Sequence, residues 1–168
     1  ECIPEKILLC DQNSPEWCFA FYAAIRSKSI VVPLDAQSTK KEIEYVINDC
    51  RPDIVFISDD KKEMFADMNL QNAHLMTKDD VVLSDDKNIP ATDIPLGNLE
   101  DVMLINYTSG TTGNPKGVML TYKNVMFNID SVSKQVPIFQ EDSNVMVLLP
   151  LHHILPLLGS LVAPLYMG

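Results

Sequence analysis

Short apolar runs alternate with amphipathic stretches over the first 60 residues, and this alternation constrains the fold more than any other feature. Runs of strand length predict strands at Lys6–Cys10, Ile30–Leu34 and Asp53–Ser58. One helix is predicted to begin near Ser14, a hydroxyl residue followed by proline, and a second to cover Ser38–Cys50, with one of its first two residues as the cap. Because strands and helices alternate, the sequence predicts an α/β fold built mainly from parallel β-α-β units.

The elements further along the chain extend the same pattern. They are a short charged helix at Asp59–Met68, a weak strand at His74–Met76, a strand at Val102–Tyr107, a strand that ends at Thr121, and a helix at Tyr122–Lys134. Between them, Ser84–Glu100 contains two prolines, a glycine and four acidic residues without periodicity. Such a stretch predicts a surface linker, and a subdomain boundary is expected near residues 84–100.

Residues Val145–Tyr166 form an almost wholly apolar run that is long enough in principle to cross a bilayer. Three prolines and two histidines within it argue against a single membrane helix. We therefore expect no transmembrane segment, although peripheral contact with a membrane is compatible with this run. The sequence predicts a buried strand at Val145–Leu149, then a loop, then a buried helix.

Composition indicates one globular domain and excludes some classes of partner. Of the 168 residues, 46% are apolar and 21% are charged, which is typical of a folded protein. A net charge of −10 leaves nothing to neutralise a nucleic-acid backbone, so no nucleic-acid partner is expected. The cysteines show no zinc or disulfide spacing, which favours a reducing cytoplasm. The residues expected in the core are Cys2, Cys10, Cys18, Cys50, Trp17, Phe19 and Phe21.

The segment with the clearest chemistry is residues 107–118, which read Tyr-Thr-Ser-Gly-Thr-Thr-Gly-Asn-Pro-Lys-Gly-Val directly after an apolar run. Glycines let successive backbone N–H groups converge on an anion, hydroxyl groups donate hydrogen bonds, and the lysine adds a positive charge. This composition predicts a polyphosphate-binding loop. The candidate phosphate ligands are Thr108, Ser109, Gly110, Thr111, Thr112, Gly113 and Lys116.

One alternative for this segment is the Walker loop of NTPases. Gly110 and Lys116 have the right separation, but Pro115 replaces the second glycine and Gly117 replaces the magnesium-binding hydroxyl. A Walker loop also opens into a helix, whereas the residues that follow, up to Thr121, read as a short apolar strand. The Walker alternative therefore requires a helix directly after Lys116.

Residues 107–118 resemble the phosphate-binding loop of the adenylate-forming superfamily, which includes acyl-CoA synthetases, luciferases and peptide-synthetase adenylation domains. Flanking segments are similar to those of the same family, in the same order: Ile30–Asp35, Leu99–Ile105 and Leu149–Ile154. The general likeness around Pro33-Leu34-Asp35 and Pro150–Ile154 favours a long-chain fatty acid–CoA ligase. The resemblance covers most of the chain.

This resemblance implies an ATP-dependent acid–thiol ligase. A carboxylate, expected to be a fatty acid, attacks the α-phosphorus of ATP, and the acyl-adenylate then passes its acyl group to coenzyme A; Mg²⁺ is the implied metal. The loop residues would hold the β- and γ-phosphates. His153 corresponds to the histidine beside the acyl or adenylate pocket, with a hydrogen-bonded packing histidine as the alternative. His152 is expected to face the other way, and isolated His74 to be a surface or packing residue.

Two departures from the family pattern shape the expected organisation. Lys28-Ser29 stands where the family has a small residue and glycine at the end of a helix. The family's later motifs do not occur before Gly168, so we expect a partial N-terminal AMP-binding domain over residues 1–168, without the C-terminal lid and inactive without the rest of its own chain. We assign no certain catalytic residue and no metal ligand within it. A stand-alone phosphate-binding module and another acyl-activating ligase remain alternatives.

Overall fold

The computed structural model describes residues 5–81, 98–108, 115–135 and 144–167. Its centre is a six-stranded mixed sheet with the strand order β4-β3-β1-β2-β5-β6. The strands are β1 Lys6–Cys10, β2 Ile30–Pro33, β3 Ile54–Ile57, β4 His74–Thr77, β5 Val102–Thr108 and β6 Lys116–Thr121. Neighbouring strands pair in parallel from β4 through to β5, and only β6 runs antiparallel, to β5. The prediction of a mainly parallel α/β fold is confirmed.

The helices lie where the apolar spacing predicts them. They are α1 Pro15–Arg26, α2 Lys40–Cys50, α3 Lys62–Ala66, α4 Tyr122–Gln135, α5 Ile154–Pro156 and α6 Ala163–Met167, with π-helical turns at Leu157–Val162 joining the last two. Ser14 caps α1 by accepting a hydrogen bond from the Trp17 N–H, at 3.1 Å. Thr39 caps α2 in a reciprocal pair with Glu42, so Thr39 rather than Ser38 is the cap.

Helices cover both faces of the sheet, because side chains of successive strand residues point to opposite faces. Ile7 and Leu9 of β1 face one core, which α1, α4 and the segment 154–163 complete. Leu8 and Cys10 face the other core, which α2 and the residues around α3 complete. This arrangement places α1 and α2, the first two connections between parallel strands, on opposite faces of the sheet.

The prediction of a buried strand at Val145–Leu149 is wrong. These residues form no strand, and their side chains are 38% to 78% exposed. A strand needs a neighbour to take its backbone hydrogen bonds, and within the described ranges no strand pairs with this segment. The helix predicted after it is present, but only one side of it is buried, since Leu157 and Leu161 are covered while Leu155 and Leu165 are exposed.

Only some of the residues predicted for the core are buried. Trp17 and Phe21 are core residues that stack on each other, but Phe19 points outward and is 45% exposed. Cys10 and Cys50 are buried and Cys18 is half-buried, whereas Cys2 lies outside the described residues. Residues 84–97 of the expected linker also lie outside them.

No helix in the described part of the chain is long and apolar enough to cross a bilayer.

Lys28 ends α1 in a backbone conformation that glycine favours. Its φ is 61°, and it lies in a Schellman-type turn in which the N–H of Lys28 donates to the Ile25 carbonyl and the N–H of Ser29 donates to the Ala24 carbonyl. A side chain in this left-handed conformation crowds the following carbonyl. The departure from the expected glycine-bearing sequence therefore keeps the turn and adds strain.

Replacing Lys28 with glycine is expected to stabilise the protein by about 1 kcal/mol, because glycine adopts this φ without steric cost. Lys41→Gly is the matched control: this exposed lysine lies within α2, where glycine should destabilise by a similar ~1 kcal/mol. Urea unfolding of both variants measures the two changes. A loss of stability in Lys28→Gly would contradict the strain argument.

Candidate functional site

The candidate phosphate loop closes the hairpin formed by β5 and β6. Thr108 pairs with Lys116 as the last pair of this antiparallel ladder, so residues 109–115 join the two strands. Since β5 is parallel to β2, the loop leaves the sheet at its carboxyl edge, where α/β proteins most often bind ligands. Thr108 and Lys116 are both exposed there. The other candidates, Ser109, Gly110, Thr111, Thr112 and Gly113, lie outside the described residues.

The element that follows Lys116 excludes the Walker alternative. Residues Lys116–Thr121 form β6, whereas a Walker loop leads directly into a helix. Gly117 is required here by close packing: a Cβ atom at this position would lie 2.8 Å from Cγ2 of Ile105 and 3.2 Å from Cζ of Tyr107. The glycine therefore lets β6 lie closely against two side chains of β5.

The turn Pro150–His153 lies across the same carboxyl edge and is held by two asparagine side chains. Asn13 follows β1, donates from Nδ2 to the Leu149 carbonyl at 2.9 Å, and accepts at Oδ1 from the Leu151 N–H, also at 2.9 Å. Asn106 of β5 donates from Nδ2 to the His152 carbonyl at 2.9 Å. Neither asparagine is predicted as a site residue from the sequence; the local signal for Asn106 is a polar amide within an apolar strand.

The two histidines of this turn have different surroundings. The His152 side chain is 13% exposed, with Nε2 3.8 Å from Oδ2 of Asp35, the residue two positions after β2. His153 is exposed, and the two rings lie in contact with centroids 4.1 Å apart, so the expectation that they face opposite ways is wrong. Burial lowers the pKa of His152, the Asp35 carboxylate opposes this shift, and His153 adds to it. His152 is therefore kept neutral near pH 7.

An apolar cavity of about 570 Å³ lies beside this edge, between the β5–β6 hairpin, α4 and the segment 154–163. Among the described residues that line it, the polar ones are Thr108, Asn106, Asn124 and Asn128, and none is charged. The apolar lining comprises Val118, Leu120, Val125, Ile129, Val132, Ile154, Leu155, Leu158, Gly159 and Ala163. A cavity of this size and polarity suits an apolar small molecule. Thr108 belongs both to this cavity and to the start of the phosphate loop.

Other ionisable groups at the carboxyl edge do not form a reactive centre. Burial raises the pKa of the Cys10 thiol to about 12, so this residue at the end of β1 remains protonated and is a poor nucleophile. Burial also raises the pKa of the neighbouring Asp11. Within the residues that the structure places, no group of three or more His, Cys, Asp or Glu side chains could hold a metal ion.

Residues 4–168 match the family described as AMP-binding enzyme. The chain belongs to this family. Its relatives include the oxalate–CoA ligase of Arabidopsis thaliana, 28% identical over 174 residues, and the 4-coumarate–CoA ligase of Humulus lupulus, 30% identical over 184 residues. Both alignments cover 98% of this AMP-binding chain but only 34% and 32% of the relatives. The chain thus spans about a third of the length of these CoA ligases.

Solved structures of adenylate-forming enzymes share the fold. ATP-bound MatB from Rhodopseudomonas palustris superposes with a TM-score of 0.82 at 23% identity, over 99% of this chain and 34% of MatB. The N-terminal domain of FACL13 from Mycobacterium tuberculosis gives 0.74 at 22% identity, over 95% of this chain and 42% of that domain's chain. The mainly parallel sheet with helices on both faces is therefore the fold of the N-terminal domain of adenylate-forming enzymes.

The lowered pKa of His152 predicts a pH dependence of stability. Because its pKa in the folded protein lies below its ordinary value of 6.5, the unfolded chain binds the proton more tightly. The contribution of this neutral ring to stability is present above pH 6.5 and is lost as the pH falls below it. Between about pH 7.5 and about pH 5, the free energy of unfolding should therefore fall less in His152→Gln than in the wild type.

Urea unfolding at several pH values measures this difference. His74→Gln is the matched control, because it makes the same substitution at an exposed position on β4, away from the turn. Identical pH profiles for the His152 variant and the wild type would show that the folded protein does not exclude the proton from this ring.

Proposed function

We propose that this chain is the part of an ATP-dependent acyl-CoA synthetase that grips the ATP phosphates and lines the acyl pocket. The observation that carries the proposal is that the hydroxyl- and glycine-rich loop begins at Thr108, which also lines the apolar cavity. A carboxylate whose tail lies in that cavity would have its charged end near the phosphate loop. Membership of the AMP-binding family supports the same chemistry.

The reaction needs alignment and charge neutralisation from the protein. A carboxylate oxygen of the substrate attacks the α-phosphorus of ATP, the bond to the β-phosphate oxygen breaks, and pyrophosphate leaves with the electron pair. Residues 108–113 and Lys116 would neutralise the leaving pyrophosphate through amide, hydroxyl and ammonium donors. In the second step the thiol of coenzyme A attacks the acyl carbonyl, AMP leaves and the thiol proton is released. His153 would lie beside the adenylate.

The cavity favours an apolar monocarboxylic acid, such as a fatty acid, over a short dicarboxylic acid. Burying the second carboxylate of a dicarboxylic acid requires a cationic partner, and the described lining supplies only asparagine and threonine as polar residues. A hydrocarbon or aryl tail gains free energy from the apolar lining instead. The apolar lining therefore supports an apolar acid as the substrate rather than malonate or oxalate.

The chain is proposed to be part of a larger N-terminal domain with a boundary near residues 84–100. Its relatives are about three times as long. The site residues proposed here would contact the phosphates and the acid, so the adenine, ribose and metal contacts are assigned to the rest of the protein. Catalysis is therefore assigned to the complete protein that contains this chain.

A series of acids tests the reaction and the substrate together. The complete protein should exchange pyrophosphate into ATP when given octanoate, dodecanoate, hexadecanoate or a cinnamate, and the value of kcat/KM should exceed that for malonate by about 100-fold or more, since a buried unpaired carboxylate is costly. If none of the carboxylates tested supports pyrophosphate exchange, the ligase proposal is wrong. Preference for malonate would remove only the assignment of an apolar acid.

Lys116 tests the role of the loop. Lys116→Met removes the charge but keeps an apolar stem, and it should lower kcat/KM for ATP by about tenfold or more, the scale of one lost electrostatic contact in a transition state. Lys123→Met is the matched control, because Lys123 is an exposed lysine at the start of α4 that pairs with Glu100 at 2.7 Å. Equal losses in the two variants would show that Lys116 has no special role.

A further inference from the structure

The turn Pro150–His153 depends on side chains rather than on a neighbouring strand. The residues before it are exposed and pair with no strand in the described ranges, yet Leu151 is 1% exposed and the turn has a defined place at the carboxyl edge. Three hydrogen bonds from Asn13 and Asn106 hold its backbone there. These two carboxamides join the ends of β1 and β5, with β2 between them in the sheet.

Asn13 substitutes for a strand. Its amide engages the carbonyl of Leu149 and the N–H of Leu151, the two groups that the C=O and N–H of one residue on a parallel neighbouring strand would engage. Asn13 is itself fixed, because the next residue, Ser14, caps α1 through the Trp17 N–H. The two hydrogen bonds of its side chain therefore fix the turn relative to the connection between β1 and α1.

Asn106 links the same turn to Thr108, the last residue of β5. It lies two residues before Thr108 on β5, so the two side chains point to the same face and their Cα atoms are about 7 Å apart, at ~3.3 Å per residue. Its Nδ2 donates to the carbonyl of His152. A half-buried amide in an apolar strand is destabilising unless it is hydrogen-bonded, and this bond both satisfies the amide and fixes the distance from the histidines to Thr108.

We propose that Asn13 and Asn106 are positioning residues for the acyl-transfer site: together they fix the main chain of the His152–His153 turn relative to Thr108, the last residue of β5. This inference rests on the proposed function, in which His153 lies beside the adenylate. Both asparagines act on the reaction through the turn in this assignment, and Asn106 also lines the cavity proposed to hold the acyl tail. Asn13 bonds to Leu149 and Leu151, whereas Asn106 bonds to His152. Because neither asparagine can replace the other's hydrogen bonds, loss of either side chain should free the turn.

The kinetic test uses Asn13→Ala and Asn106→Ala in the complete protein, with the pyrophosphate exchange assay. We expect kcat to fall about tenfold or more in each variant while the KM for ATP stays within about twofold, because misplacement of a site residue affects the transition state more than ground-state binding. The double variant should lose little more than either single variant, since both release one turn. Asn48→Ala is the matched control: its Nδ2 donates to the Glu44 carbonyl at 2.8 Å on α2, on the other face of the sheet.

A second readout does not depend on activity. The ring signals of His152 in NMR spectra of the same proteins report its titration, and this ring faces Asp35 and His153. Release of the turn should expose the ring, so the pKa of His152 should rise toward its ordinary value in both alanine variants and stay unchanged in Asn48→Ala. If an alanine variant does not fold, Asn13→Asp or Asn106→Asp, which keeps the size but removes the Nδ2 donor, replaces it in both assays.

The outcomes separate the two proposals. Absence of carboxylate-dependent exchange in the wild type would overturn the proposed function, while the His152 titration would still show whether the asparagines hold the turn. A shifted titration with kcat within about twofold of the wild type would overturn the positioning role alone, since movement of a catalytically relevant turn costs far more than that. An unchanged titration in both variants would overturn it as well.

Discussion

The parallel pairing of β5 with β2 is the contact on which the arrangement of the candidate site depends. Val31 and Leu104 are register partners and are both fully buried in the same core. This pairing gives β5 the direction of β1, β2 and β3, and so brings its last residue, Thr108, to the edge where those strands also end. Reversal of β5 would carry the phosphate loop to the opposite edge, away from the histidine turn. The site is thus a consequence of strand direction as much as of the residues in the loop.

Local sequence patterns predicted most of the fold because they report forces that act within a few residues. The apolar runs of β1, β2 and β3 and the caps at Ser14 and Thr39 depend on side-chain alternation and on the unsatisfied N–H groups of a helix start. The position of the loop between two strands also followed from composition. In each case the residues that decide the structure are neighbours in the sequence.

The missed features depend on partners that are far apart in the chain. Asn13 bonds to residues 136 and 138 positions away, and Asn106 bonds to a residue 46 positions away, so no periodicity or short motif could pair them. Phe19 shows the same limit, because an aromatic residue between two core aromatics carries no local signal of its outward direction. Apolarity at Val145–Leu149 indicated a need for burial without specifying the partner that would provide it.

That exposed segment also has a consequence for how the chain behaves in solution. Within the described residues no strand pairs with it, and its side chains are Val, Met and Leu. An exposed, uncharged apolar stretch of this kind is a template for intermolecular β-pairing. Where no other element shields Val145–Leu149, copies of the chain are expected to join through it, and the tendency to oligomerise should rise with concentration.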